Sequence, residues 1–420
     1  MREMKDSRLK WIGEIPSSWN VMPNKYLMKK KKVICPVYTG EDILSLTMKG
    51  VIVRDLDAGG KMPTSFDGYQ RLEPGNLLMC LFDIDVTPRC IGLIKQAGLS
   101  SPAYSQFELN GMGNAEYYCY YYTMLDNDKT LLHLAKNLRH SLTEDQLGAI
   151  SVIVPPVQEQ KRIANFLDAK CAEIDALTAD IQTQIDTLEQ YKRSVITEAV
   201  TKGLNPDVEM KNSGSRWCPL IPIHWELVPA KYLFHNSDLR KQNGDEQLTA
   251  SQKYGIITQR AYMKLENTSI VLANKGVENW KHVEPNDFII SLRSFQGGLE
   301  MSETTGCITW HYVVLKASRY VCYRYYKWLF KSEQYINALQ GTCNFIRDGQ
   351  DLRFSNFSQV PLLVPPIEEQ ETVADYLDQK TNEIDSIIAK KKKQLDVLAE
   401  YKKSLIYEYV TGKKEVPANA

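Results

Sequence analysis

Apolar residues recur every seven positions along one stretch of this chain: Leu167, Ile174, Ile181, Leu188 and Val195. Leu177, Ile185 and Tyr191 widen the stripe. A seven-residue repeat sustained this far predicts a helix with a coiled-coil seam. Pro156 suits its start, where a missing N–H costs nothing, and Gly203 suits its end. Glu159 puts a negative charge in the first turn, where the helix dipole favours it. The pattern returns near the end of the chain as Leu377, Ile384, Leu398 and Leu405, between Pro366 and Gly412, flanked by Ile387, Leu395 and Tyr401. There the middle seam position is Lys391, inside the run Lys390–Lys393. A lysine in a seam either specifies register at a cost in stability or marks where the helix leans away. Each helix would span on the order of 70 Å at about 1.5 Å per residue. That stripe is longer than one domain needs, so the two helices are expected to pack on each other, antiparallel.

The remaining segments mix short alternating runs with turn signals. Strands are expected at Val51–Val53, Leu77–Phe82, Ile270–Leu272, Phe288–Leu292 and Tyr312–Leu315. Tyr117–Tyr122 also reads as a half-buried strand, with base stacking as the functional alternative. Gly59-Gly60, Asp67-Gly68, Pro74-Gly75 and Gly297-Gly298 read as turns, and Asn205–Ser215 as a linker. The expected class is α+β, with five segments. Residues 1–155 and 204–365 are mixed α/β domains. Residues 156–203 and 366–412 are spacer helices, and 413–420 is a tail.

The chain is written twice. Trp11, Pro16, Trp19, Pro23, Lys25, Tyr26 and Leu27 recur as Trp217, Pro222, Trp225, Pro229, Lys231, Tyr232 and Leu233. Val154-Pro155-Pro156, Glu159-Gln160, Leu167-Asp168, Glu173-Ile174-Asp175 and Tyr191-Lys192 recur 210 residues later, from Val364 to Lys402. Between these blocks only a skeleton survives. Leu72-Glu73-Pro74 resembles Val283-Glu284-Pro285, while Gly98 and Tyr104 line up with Gly306 and Tyr312. A constant frame with variable inserts is expected if the frame does one mechanical job twice and the inserts recognise different things.

Charge refines this picture. The net charge is zero, which counts against gripping nucleic acid by electrostatics alone. Pro156–Gly203 carries six Lys/Arg against eight Asp/Glu, and Pro366–Gly412 seven against ten, so the remainder carries plus five. The inserts are therefore mildly basic. Nine scattered cysteines without a Cys-x-x-Cys pair, and no signal-like apolar N-terminus, lead to an expectation of reduced thiols in a cytoplasm. No phosphate-binding Gly-x-x-x-x-Gly-Lys-Ser/Thr loop, no Asn-Pro-Pro-aromatic motif and no His/Cys ligand spacing is present. No catalytic residue and no metal ligand is assigned.

Basic and amide side chains that pair with base edges are the candidates for DNA contact. Arg293, Ser294 and Gln296 lead, beside two glycines that permit close backbone approach. Arg347, Gln350 and Arg353 form a second set. In the first half the candidates are Arg54, Lys61, Gln70, Arg89, Lys95 and Arg139. Lys29–Lys32 is suited to phosphates or to a solvated face.

Two variable domains alternate with two helices, each opened by Val-Pro-Pro-x-x-Glu-Gln (Val154–Gln160, Val364–Gln370) and closed by Tyr-Lys-x-Ser-Val/Leu-Ile (Tyr191–Ile196, Tyr401–Ile406). This closely resembles the specificity subunit of Type I restriction-modification systems. The resemblance implies that each variable domain reads one half of a bipartite, asymmetric site in double-stranded DNA. It implies that the helices set the spacing and dock two modification subunits, with restriction subunits as further partners. S-adenosylmethionine, ATP and Mg are then expected on those partners, with no cofactor in this chain. The competing expectations are a stand-alone enzyme with a disguised site, and a coiled-coil adaptor or decoy without DNA specificity.

Overall fold

The computed structural model describes residues 2–58, 63–134, 140–273, 275–291, 294–342 and 352–417. Two helices dominate it, Val157–Lys202 with 46 residues and Ile367–Val410 with 44. Each starts after a Pro-Pro pair and closes on a glycine in the left-handed region, Gly203 (φ +77°) and Gly412 (φ +73°). Two compact units divide the chain: Met1–Ile181 with Lys393–Ala420, and Gln182–Lys392. The division cuts through both helices, so each unit holds a variable domain and a piece of each helix.

In the first unit, four antiparallel strands run in the order Met28–Lys31, Ser105–Leu109, Leu77–Met79, Ile91–Leu93. Helix Ala115–Asn127 packs on them, and strand Ser151–Val154 pairs with Asn20–Pro23 just before the long helix begins. One buried cluster joins Trp19, the tyrosines of that helix, Leu167, Ile174, Leu405 and Val410. The helix pieces run antiparallel here: Asp175 meets Lys402 at 2.6 Å, and Phe166 meets Tyr409 with ring centroids 4.5 Å apart.

The second unit repeats that topology. Its sheet order is Phe234–Ser237, Val313–Ala317, Phe288–Ile290, Glu300–Met301, and Leu362–Val364 pairs with Glu226–Val228. Trp225, Tyr325, Tyr326, Phe330, Ile196, Val200 and Leu377 share its core. Lys192 meets Asp385 at 2.6 Å, again antiparallel. The seam residues Leu167, Ile174, Ile181, Leu377, Ile384 and Leu405 are buried, and Leu188, Val195 and Leu398 are half-buried. Lys391 does not lean away: its ammonium donates to the Gln184 side chain of the facing helix.

Three local expectations are corrected. Tyr117–Tyr122 lies in a helix. Asn114 caps it by accepting from Tyr117 N at 2.9 Å, and the buried Tyr117, Tyr118, Tyr121 and Tyr122 share one helical face. Ile270–Leu272 forms no strand; it follows helix Gln259–Glu266, which ends on left-handed Asn267, and Val271 is 93% exposed. The linker is shorter than Asn205–Ser215, because Met210–Asn212 pairs with Leu220–Pro222, as Met4–Asp6 pairs with Glu14–Pro16. Gly59-Gly60 lies outside the described residues.

Candidate nucleic-acid interface

The repeated residues of the sequence are the ones that fasten each domain to its helices. Trp19 Nε1 donates to Glu159 at 2.9 Å, and Trp225 Nε1 to Glu369 at 2.9 Å. Gln160 Nε2 donates to the Pro155 carbonyl and its Oε1 accepts from Asn114 N, at 2.8 and 2.7 Å. Gln370 repeats this with Pro365 and Cys322 N, at 2.8 and 3.1 Å. Tyr117 donates its hydroxyl to the Val410 carbonyl at 2.8 Å, and Tyr325 to that of Val200 at 2.9 Å. Both hydroxyls satisfy a carbonyl that a helix end leaves without an intrahelical partner. Burial raises both phenols far above their usual range, so they stay protonated donors.

The candidate DNA contacts fall into several groups. Arg293, Arg347, Gln350, Lys61 and Arg139 lie outside the described residues. Gln70 is fully buried and donates to the carbonyls of Ser101 and Tyr104, both at 2.8 Å, which makes it an internal strut. Ser294 is also buried, its Oγ accepting from Ser291 N at 2.8 Å. These two cannot face a ligand as placed. Gly298 is a packing requirement: it has φ +78°, and a Cβ there would stand 2.0 Å from the Phe330 carbonyl oxygen. Arg89 lies against Asp126 and Asn127, at 3.4 and 3.1 Å. Lys29, Lys30 and Lys31 are each paired with glutamates, Glu108, Glu144 and Glu73. Gln296, Lys95 and Arg353 are exposed, and Arg54 is half-buried.

Arg89 and Lys95 meet in a cleft of about 860 Å³ in the first unit. Lys49, Lys402 and Lys403 line it as well, facing Glu116, Asp168 and Asp175. Lys402 is committed to Asp175, and Tyr120 donates to Asp168 at 2.7 Å. Five cations and three carboxylates thus line the cleft. Lys49 was not among the sequence candidates; a Lys-Gly pair between two apolar runs is the hairpin signal that points to it.

Four of the described thiols are held protonated. Burial pushes Cys90 up to about 12, and Cys119, Cys218 and Cys307 up to about 11. His282 and Asp245 are buried together at 2.9 Å, and His282 is the strand partner of Cys307. Among the described residues no group of three or more His, Cys, Asp and Glu is placed to hold a metal ion, and no helix is long and apolar enough to cross a membrane.

The helices also leave apolar side chains uncovered at equivalent places. In the first unit these are Leu177 (48% exposed) and Tyr401 (55%), flanking the Asp175–Lys402 pair. In the second they are Ile387 (42%) and Tyr191 (48%), flanking Asp385–Lys192. Leu177 and Ile387, like Tyr191 and Tyr401, are repeat partners.

No protein-family model matches the chain. Over 281 residues it is 23% identical to a protein of Methanocaldococcus jannaschii named, by inference, as the type I restriction enzyme MjaX specificity subunit. The match takes in 66% of this chain and 62% of that protein, under two thirds of its length. Among solved structures, the fold is similar to a chain from work on complex assembly and conformational transition of the type I R-M system. There the TM-score is 0.69 with 13% identity, over 95% of this chain and 99% of the other. The HsdS subunit from Thermoanaerobacter tengcongensis gives a TM-score of 0.50 with 14% identity, over 95% and 98%. This chain is thus similar in sequence to a type I restriction enzyme specificity subunit and in fold to solved structures of type I R-M proteins.

Proposed function

We propose that this chain is the DNA sequence-recognition subunit of a Type I restriction-modification complex and performs no catalysis itself. Each variable domain reads one half of a bipartite, asymmetric site in double-stranded DNA, and the two helices set the spacing of the halves. The observation that carries this reading is the doubled frame. Identical fastenings, Trp19–Glu159 with Tyr117–Val410 and Trp225–Glu369 with Tyr325–Val200, hold two inserts whose sequences have diverged. A frame kept constant while its cargo varies fits two readings made by one mechanism.

The repeated apolar pairs on the helices support a partner bound twice. Leu177 with Tyr401, and Ile387 with Tyr191, give two equivalent seats for two modification subunits. S-adenosylmethionine belongs on those subunits, and ATP and Mg on restriction subunits where these join. The zero net charge fits a subunit that binds DNA tightly only once its partners close around the duplex.

The test is reconstitution. Modification subunits purified with this chain should methylate adenines in one bipartite motif, and without it should methylate no defined motif. Turnover of DNA by this chain alone would overturn the non-catalytic reading. Assembly with the modification subunits but without any sequence preference would favour the adaptor.

A further inference from the structure

Both units mount a hairpin in the same way. In the first, Leu44–Thr47 pairs with Gly50–Val53; in the second, Leu248–Ser251 pairs with Gly255–Thr258. The base of each is pinned to a neighbouring strand. Leu99 N donates to the Asp42 carbonyl at 2.8 Å, and Cys307 N to the Glu246 carbonyl at 2.8 Å. A second pin closes the base, Arg54 N to Ile43 O at 2.7 Å and Gln259 N to Gln247 O at 2.8 Å. The close approach requires glycine. A Cβ on Gly98 would stand 2.7 Å from the Asp42 oxygen, and one on Gly306 2.5 Å from that of Glu246. Gly98 and Gly306 are two of the few insert positions that the halves share.

The mount is constant and the tip is not. One tip reads Thr47-Met48-Lys49-Gly50, the other Ser251-Gln252-Lys253-Tyr254-Gly255. Met48 is 61% exposed and Gln252 is exposed. The shared element is a lysine, the residue that holds register on phosphates. Lys253 is steadied by Glu266 at 2.8 Å and by the Tyr254 ring at 4.8 Å. The varying element, methionine against glutamine, differs in the property that separates bases: an apolar tip suits a thymine methyl, and an amide suits the N6/N7 edge of adenine. Gln252 also lies across Gly297, where a Cβ would meet its amide nitrogen at 2.8 Å, next to exposed Gln296. A rigid base carrying an interchangeable side chain is what a reading element requires.

We propose that these hairpin tips contact bases, Met48 in one half-site and Gln252 in the other. The assignment rests on the DNA-recognition reading above. It is tested in the complete complex with modification subunits, by mapping methylated adenines on duplexes randomised across the site. Met48→Gln should change preference at a position of one half-site. Gln252→Ala should lower discrimination at least tenfold at a position of the other, and Gln252→Met should shift it towards thymine. The Met48→Gln unfolding midpoint should stay at the wild-type value because that tip is exposed, whereas the Gln252 variants are read by base preference at full modification-subunit binding, since the Gln252 side chain packs on Gly297. Unchanged base preference in all three would overturn the assignment. So would loss of modification-subunit binding with preference intact, which would make the tip, together with the cleft that Met48 and Lys49 line, a protein contact. A wild-type complex without sequence preference would sink the recognition reading, and the tips with it.

Discussion

Trp19 and Glu159 are 140 residues apart in sequence, yet the indole N–H donates to the carboxylate at 2.9 Å. Arg2 approaches the same carboxylate at 2.6 Å. The contact ties the N-terminal strands of a variable domain to the first turn of a long helix. Glu159→Ala should leave a buried indole N–H without a partner and cost about 1–3 kcal/mol. Urea unfolding of the chain measures this; a midpoint equal to wild type would show the contact to be incidental.

Tyr117→Phe and Tyr325→Phe each remove one hydroxyl donor from a helix-end carbonyl. Each should cost about 1 kcal/mol. The two sites share no partners, so the double variant should lose the sum of the two. Thermal or urea unfolding of the three variants reads both magnitudes.

Lys391 occupies the seam position whose repeat partner is Ile181. Lys391→Ile should raise stability by about 1 kcal/mol, since a half-buried ammonium is exchanged for an apolar side chain. Its contact to Gln184 is polar and directional, so the same change should loosen helix register. Amide exchange across residues 181–195 and 384–398 should then speed up although the unfolding midpoint rises.

The buried thiols set an alkaline limit. Burial holds Cys90, Cys119, Cys218 and Cys307 well above the ordinary thiol range, up to about 12 and about 11. In the unfolded chain they ionise near 8.5. Protonation that persists only in the folded state contributes stability that is fully present below that value and lost as pH rises through the folded values. Stability should therefore fall between about pH 9 and pH 11. At pH 8 a thiol reagent should react with Cys90, Cys218 and Cys307 in urea and spare them in buffer.

The long helices were legible because a sustained seven-residue apolar stripe matches the period of a packed helix and not the period of a strand. Their bounds fall within two residues of the flanking prolines and glycines. The repeat revealed the frame, and the frame proved to be a set of fastenings: Trp19, Glu159 and Gln160 recur because they bond to one another or to adjacent backbone. Tyr117–Tyr122 misled, since four buried tyrosines on one helical face also look like strand alternation over so short a window. Gln70 and Ser294 were chosen by side-chain chemistry, but a polar residue turned inward bonds to backbone as readily as one turned outward to a ligand. The burial of Gln70 depends on long-range strand pairing with Gly98–Ser100, and that of Ser294 on its short helix packing against Glu333–Gln340, neither of which local sequence encodes. The hairpin mount was half visible: Gly98 and Gly306 aligned, yet their purpose, closeness to a carbonyl, needs the fold.

The most direct test of two reading domains on a helical spacer is to lengthen the spacer. Gln184 and Lys391 face each other across the helix pair, so seven residues inserted at both positions preserve the seam. The insertion adds about 10 Å, close to 3 base pairs. Methylated adenines mapped for the assembled complex should then show the same two half-site sequences separated by about 3 more base pairs. Unchanged spacing with full activity, or altered half-site sequences, would contradict the division of labour between domains and helices.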